Sequence, residues 1–317
     1  MPNNAFSVHA LPDLSGKLYV VTGGNAGIGK TTVAGLASRG ARVYMGARSA
    51  EKAEKAITDI KRELGKPQAD IVFLKLDLTD FKSAVEAARE LRSKETALHG
   101  LINNAGIMGV PFSRTKDEYE IQFQTNYLSH WLFTYHLLPL LQSTALTQPG
   151  TARIVNVTSD GHERFTLKEG IRLDDPNLES ESAMVRYGHS KLANILHTRH
   201  LNAVYGPKGK ESSGIIVAAV HPGHIDTNLN KQATGMAPAV VLRIMTPIMK
   251  CIGILDHEAK GALSTLFAIA DPKFTESGAY IVPYAKIGKP SQMAKDDQLA
   301  ERLWEWTFKM FQEMGYL

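Results

Sequence analysis

Tyr187 and Lys191 stand four residues apart in the run Tyr187-Gly188-His189-Ser190-Lys191. On a helix that spacing puts both side chains on one face. An ammonium beside a phenol stabilises the phenolate and draws the tyrosine pKa from about 10 toward neutrality, where the group exchanges protons with a substrate. The chain holds ten tyrosines, so the pair takes its meaning from its companions. Two polar clusters supply them, Asn103-Asn104-Ala105-Gly106 and Asn156-Val157-Thr158-Ser159. Each follows or ends a short apolar run that reads as a strand. The carboxyl ends of strands are where open α/β sheets bind their ligands.

A second group of residues suits an anion. Leu18-Tyr19-Val20-Val21 reads as a buried strand and 30–39 as a helix, with Thr22-Gly23-Gly24-Asn25-Ala26-Gly27-Ile28-Gly29 between them. Glycines let the backbone bend sharply and approach a pyrophosphate closely. The helix that follows offers unpaired N–H groups and a positive dipole end. Strand, glycine turn and helix form the layout of a dinucleotide-binding βαβ unit, here spaced G-x-x-x-G-x-G. NAD sites carry Asp or Glu at the end of the second strand for the ribose 2′-hydroxyl; this chain has Ala47 and Arg48. A guanidinium pairs with a 2′-phosphate, and a carboxylate repels it. NADP(H) is therefore expected in preference to NAD(H), against the plainer reading of Arg48 as a solvated helix-start residue. Asp77, after the third strand, has two readings of equal standing: a partner for the adenine amino group, or a cap ahead of Thr79.

The elements that must position these groups alternate along the chain. Strands are expected at 17–22, 41–46, 70–75, 99–103, 151–157, 214–220 and 279–283. Helices are expected near 29–39, 49–64, 79–95, 115–143, 184–205 and 292–314. Most strands are short and rich in Val, Ile and Leu, as when both faces are covered. The pattern predicts an α/β fold, a single Rossmann-type doubly wound parallel sheet of about seven strands with helices on both faces. No linker divides 1–317, so one domain is expected, with its core at about 16–285. Two stretches break the alternation: a polar insert at 160–186, and 225–257, which mixes apolar residues with Pro238 and Pro247 and is expected to form a helical substrate lid.

Composition removes several function classes. Apolar content of 44% and charged content of 21% are ordinary for a globular protein. A net charge of +4 is too small to imply a nucleic-acid partner. One cysteine, Cys251, excludes an intramolecular disulfide and suits a reducing compartment. With no secretory pattern in 1–14, a cytoplasmic location is expected. The most apolar stretch, 236–255, carries Pro238, Arg243, Pro247 and Lys250, so no membrane span is expected. Arg243 and Lys250 would still allow peripheral contact with a membrane surface. No metal is expected in the chemistry.

Taken in order, TGGNAGIG (22–29), NNAG (103–106), Asn126, Ser159, the Tyr187–Lys191 pair and His221-Pro222-Gly223 resemble the short-chain dehydrogenase/reductase family over about 16–285. NYLSHWLF (126–133), HSKLAN (189–194) and LAERLWEW (299–306) resemble its retinol-dehydrogenase-like and WW-domain-oxidoreductase-like branch. The resemblance implies an NADP(H)-dependent oxidoreductase acting on CH–OH and C=O groups. It implies that Tyr187 is the general acid or base, that Lys191 lowers its pKa and binds the nicotinamide ribose, and that Ser159 polarises the substrate oxygen. It implies that Asn126 holds a water relaying protons from Lys191. Cofactor contacts are implied for Gly23, Asn25, Gly27, Ile28, Gly29, Arg48, Asp77, Leu78, Asn104, Ala105, Gly106, Tyr187, Lys191, Pro222, Gly223, Ile225 and Thr227.

Two features depart from the family pattern. Tyr187 lies 28 positions after Ser159, roughly double the gap of compact relatives, which reads as the insert at 160–186. Thr158 stands where many relatives have a second serine. His189 and His221 read as packing or turn residues, and His162 as a residue of the pocket edge. Relatives commonly pair through the helices near 115–143 and 184–205, so both a homodimer and a monomer are open. The lid is rich in aliphatic residues and methionines, which suits a small lipophilic substrate such as a retinoid, steroid, polyketide or other secondary metabolite. A cofactor-binding scaffold and a non-redox cyclase or isomerase on the same fold are the competing readings.

Overall fold

The computed structural model describes residues 6–225, 233 and 257–317. Its strands are β1 Leu18–Thr22, β2 Arg42–Ala47, β3 Ile71–Lys75, β4 Gly100–Asn103, β5 Arg153–Val157, β6 Ile216–Val220, β7 Ala279–Val282 and β8 Lys286–Gly288. They form one sheet in the order β3-β2-β1-β4-β5-β6-β7-β8. All neighbours are parallel except β7 and β8. The chain direction of building reverses between β1 and β4, which opens a crevice at the carboxyl ends of both strands. The sheet has eight strands rather than the expected seven or so. The extra one, Lys-Ile-Gly, is three residues long and largely exposed, too short to leave a hydrophobic period in the sequence.

The helices are α1 Gly27–Ser38, α2 Ala50–Leu64, α3 Phe81–Lys94, α4 Ile121–Phe123, α5 Ser129–Thr147, α6 Gly161–Arg164, α7 Ala183–Tyr205, α8 Glu258–Ala270 and α9 Asp297–Glu313. Strand alternation splits the core into two layers. Val21, Met45, Ile102 and Val155 pack on Val33 and Leu36 of α1, Ile60 of α2 and Leu266 of α8. Val20, Leu101, Ile154 and Val217 point the other way, to Leu91 of α3, Leu132 of α5 and Leu196 of α7. Burial of such side chains on both faces explains why the strands read as continuous apolar runs.

Two helix starts and one whole helix differ from the sequence reading. The helix expected from 115 begins at Ile121, because Glu120 caps it through Phe123 N–H (2.8 Å) and 114–120 closes a small bridge between Arg114 and Glu120. The last helix begins at Asp297, where Asp296 accepts from Leu299 N–H at 2.9 Å. Helix α8 was not expected at all: Glu-Ala-Lys-Gly-Ala-Leu-Ser-Thr-Leu-Phe-Ala-Ile-Ala has too little polar surface to form a stripe, being mostly buried against α1 and the sheet. Of the expected lid, only Ile225, Ala233 and His257 are described, so its helical character lies outside the described residues, as do Arg243 and Lys250. Among the described residues, no helix is long and apolar enough to cross a membrane.

Helix α9 lies over α5 and α7. Trp304 meets Trp131 (centroids 4.7 Å) and stacks on His200 at 4.3 Å. Phe311, fully buried, touches Trp131 and Phe81. The Tyr127 and Thr307 hydroxyls pair at 2.9 Å.

Candidate active site

The glycine turn is clamped to the loop after β4. Thr22 Oγ1 accepts from the backbone N–H groups of Asn104 (2.9 Å) and Ala105 (3.0 Å), while Asn104 Nδ2 donates to the Thr22 carbonyl (2.9 Å). Gly23 and Gly27 have positive φ, which a side chain would strain. At Gly29 a Cβ would lie 2.3 Å from the Gly23 carbonyl and 2.6 Å from Asn104 Nδ2. Helix α1 therefore starts pressed against the turn, with partly buried Asn25 and Ile28 between its glycines. Its N-cap, Ala26, offers no side-chain cap, so the first N–H groups suit a pyrophosphate.

Arg48 is exposed just past β2, and its carbonyl accepts from Lys75 Nζ at 2.7 Å. Two cations thus share this edge; Lys75 went unnoticed in the sequence because it ends a strand without a motif around it. Asp77 Oδ1 accepts from Thr79 N–H (3.0 Å) and Thr79 Oγ1 (2.7 Å). That is the local turn of the second reading, although α3 itself starts later, after Asp80. Leu78 is buried and its carbonyl accepts from Ser129 Oγ at 2.7 Å.

Asn126 sits in a π-helical turn, Gln124–Leu128, between α4 and α5; such turns recur at functional sites. Its Oδ1 accepts from Ile107 N–H (2.9 Å), and its Nδ2 donates to the Ile107 carbonyl (3.0 Å) and Ser190 Oγ (2.9 Å). A Cβ on Gly106 would stand 3.2 Å from Asn126 Oδ1 and 3.4 Å from Lys191 Nζ, so these groups converge on one small gap. His130 joins this point to the glycine turn. Its Nδ1 lies 3.0 Å from the Asn126 carbonyl, which only accepts, so Nδ1 carries the proton and Nε2 accepts from Thr22 Oγ1 at 2.8 Å. Burial pushes its pKa down to about 4 and keeps the ring neutral. His130 was missed in the sequence; its position four residues after Asn126 in a helical run was the available signal.

Tyr187 and Lys191 share a face of α7, with Lys191 Nζ 5.7 Å from the Tyr187 ring centre. Ser159, which follows β5, lies near enough to the phenol to favour its ionised form. Ser159 Oγ accepts from Gly161 N–H and donates to Asp160 Oδ1, both at 3.1 Å. Thr158 Oγ1 donates to the Lys191 carbonyl at 2.8 Å, which makes the departure from serine there a packing bond to α7. The electrostatics differ from the expectation of a phenol drawn to neutrality. Burial pushes Tyr187 up to about 12, opposed by Ser159 and reinforced by the Asp160 charge. Burial also pushes Lys191 down to about 8. Lys191 Nζ donates to the Val157 carbonyl at 3.0 Å.

Beyond β6, His221 and Pro222 are buried and Gly223 has φ +98°. Ile225 packs toward Gly261 of α8; Thr227 lies outside the described residues. His162 is held at both nitrogens, by the Ser159 carbonyl (2.6 Å) and Ser291 N–H (3.1 Å), so it buttresses the Ser159 loop. His189 Nε2 accepts from Arg172 N–H at 3.2 Å, tying the insert to α7. His224, not considered in the sequence, pairs with Asp160 at 3.2 Å.

The family model for short chain dehydrogenases matches residues 17–166. The chain is 50% identical to the short-chain dehydrogenase/reductase drtF of Aspergillus calidoustus over 305 residues, covering 94% of each protein. The chain belongs to the short-chain dehydrogenase/reductase family. It is also 36% identical to mouse retinol dehydrogenase 12, over 92% of this chain and 85% of that protein, which places it in the retinol-dehydrogenase-like branch. An uncharacterised Mycobacterium paratuberculosis protein of known structure matches with a TM-score of 0.73 and 29% identity, over 98% of both chains. Family membership makes this an NAD(P)-dependent oxidoreductase of alcohol and carbonyl groups. The cradle fits such a cofactor: uncapped N–H groups at α1, glycines where a Cβ would collide, and Asn126 and Lys191 meeting at Gly106.

Proposed function

We propose that the chain is an NADP(H)-dependent oxidoreductase that interconverts a lipophilic ketone or aldehyde and its alcohol, with Tyr187 as the general acid or base. The observation that carries it is the gathering of Tyr187 and Lys191 on one face of α7, with Lys191 anchored to the carboxyl end of β5 beside Ser159 and meeting Asn126 at Gly106. The cofactor, when bound, supplies or accepts the hydride. Ser159 Oγ–H turns from Asp160 to the substrate oxygen and holds it. Tyr187 delivers its proton to that oxygen in reduction and removes one in oxidation. Lys191 and Asn126, joined through the gap at Gly106, line the route by which the phenol regains its proton. Gly23, Asn25, Gly27, Ile28 and Gly29 would hold the pyrophosphate, Asp77 and Leu78 the adenine, and Asn104, Ala105, Pro222, Gly223, Ile225 and Thr227 the nicotinamide half.

The preference for NADP(H) is supported by Arg48 and Lys75 side by side where NAD sites place a carboxylate. The lipophilic substrate is supported by the aliphatic and methionine content of 225–257 and by likeness to a retinol dehydrogenase. A panel of bulky lipophilic carbonyls and small polar sugars, followed by NADPH consumption, tests the reading. Turnover of the lipophilic group is expected; turnover of the sugars alone contradicts it.

A further inference from the structure

Asp160 is the residue next to Ser159, and it faces two imidazoles from the turn after β6. Asp160 Oδ2 lies 3.2 Å from His224 Nε2, and Asp160 Oδ1 lies 4.0 Å from His221 Nε2. One ligand-capable atom from each of the three residues falls within 4.8 Å of the other two. The turn His221-Pro222-Gly223-His224 makes this possible. Gly223 at φ +98° folds His224 back, so that the two rings sit 5.9 Å apart, centre to centre, on the same side as Asp160.

We propose that Asp160, His221 and His224 form a divalent transition-metal site of the zinc class at the rim of the catalytic pocket. A carboxylate and two imidazoles are the borderline-hard donors that zinc and cobalt prefer. Zinc binds such donors at about 2.0–2.2 Å, which places neighbouring ligand atoms of a tetrahedral set about 3.4 Å apart. Asp160 Oδ2 and His224 Nε2 already have that spacing; His221 Nε2, 4.0 Å from the other carboxylate oxygen and with all three ligand atoms within 4.8 Å of one another, must move in by about half an ångström to one and a half as the carboxylate turns. His224 is exposed and His221 buried, so the site has a rigid wall and an open side for entry and for a water ligand.

Other contacts at the site set its strength. Arg164 Nε donates to Asp160 Oδ2 at 2.9 Å, Ser159 Oγ donates to Asp160 Oδ1 at 3.1 Å, and Gly223 N–H meets His221 Nδ1 at 3.4 Å. A metal on His221 Nε2 needs the proton on Nδ1, so the long Gly223 contact is given up. Arg164 must yield one lone pair of Asp160. These costs make the site weaker than a structural zinc site and suit an exchangeable metal. Because Asp160 also holds Ser159, metal binding acts on the hydroxyl expected to hold the substrate; that consequence alone rests on the function proposed above.

The test is cobalt(II) titration of the full-length protein followed by visible absorption, with zinc(II) calorimetry in parallel. The expected result is saturable one-to-one binding that weakens at least about 10-fold in both His224→Ala and Asp160→Asn. Cys251→Ser is expected to bind as the wild type. Circular dichroism and NADPH binding establish that each variant is folded. Failure of saturable binding in the wild type, or equal binding by folded His224→Ala, overturns the site. Neither readout requires turnover, so the catalytic proposal stands or falls separately.

Discussion

Lys191 Nζ lies 5.7 Å from the centre of the Tyr187 ring and gives its hydrogen bond to the Val157 carbonyl at 3.0 Å. The lysine is thus anchored to β5, the same strand end that carries Ser159, while burial holds the phenol up at about 12. A phenol with a raised pKa is protonated through neutral pH. That is the form needed to donate a proton to a carbonyl. Reduction is therefore expected to run at constant kcat/KM through neutral pH and to fall only in the alkaline range, as the phenol ionises. Oxidation, which needs the phenolate, is expected to rise as pH rises. Profiles of kcat/KM in both directions check this, and a reduction rate already falling across neutral pH contradicts it.

Under the proposed function, Arg48 is expected to set cofactor choice. A charge-assisted hydrogen bond to a 2′-phosphate contributes about 1.5–3 kcal/mol. Arg48→Asp is expected to lower the ratio of NADPH to NADH efficiency by about 10-fold or more. Lys75→Ala is expected to lower it less, since its ammonium is already bonded to the Arg48 carbonyl. An unchanged ratio in Arg48→Asp removes the NADP(H) assignment.

Thr22 holds the two halves of the cofactor cradle together. Thr22→Val keeps the shape but leaves the Asn104 and Ala105 N–H groups without an acceptor. Each such loss costs about 1–3 kcal/mol. The expected outcome is a lower Tm together with weaker NADPH binding by fluorescence titration, whereas Thr22→Ser is expected to retain both.

Helix α9 covers α5 and α7, the helices through which relatives commonly pair. Light scattering is expected to give the mass of one chain. Phe311→Ala, which empties a fully buried ring site against Phe81 and Trp131, is expected to cost about 3–5 kcal/mol by urea denaturation. A stable dimer in the wild type would mean that another face does the pairing.

Much of this was legible because strongly patterned segments announce themselves. Seven parallel strands carry buried Val, Ile and Leu runs, and their expected and observed spans differ by one or two residues at most ends. The glycine turn, the Tyr187–Lys191 spacing and Ser159 depend on local sequence, so they were readable. What escaped depends on partners far along the chain. His130 matters because Thr22, 108 positions away, meets its ring. Asp160 and His224 meet only because β5 and β6 are neighbours. Helix α8 carries charge only at Glu258 and Lys260 in its first turn and is buried on most of the rest, so it left no clear amphipathic stripe. The raised state of the Tyr187 phenol comes from burial, which helical spacing alone does not reveal.

The central claim is that Tyr187 transfers the proton while the cofactor transfers hydride. The most direct measurement is NADPH consumption with a lipophilic carbonyl by the wild type and by Tyr187→Phe, with NADPH affinity determined for both. A general acid contributes about 10²–10⁴-fold. The expected result is a loss of turnover of at least that order in Tyr187→Phe, with NADPH affinity unchanged. Turnover retained in a folded, NADPH-binding Tyr187→Phe protein would contradict the account.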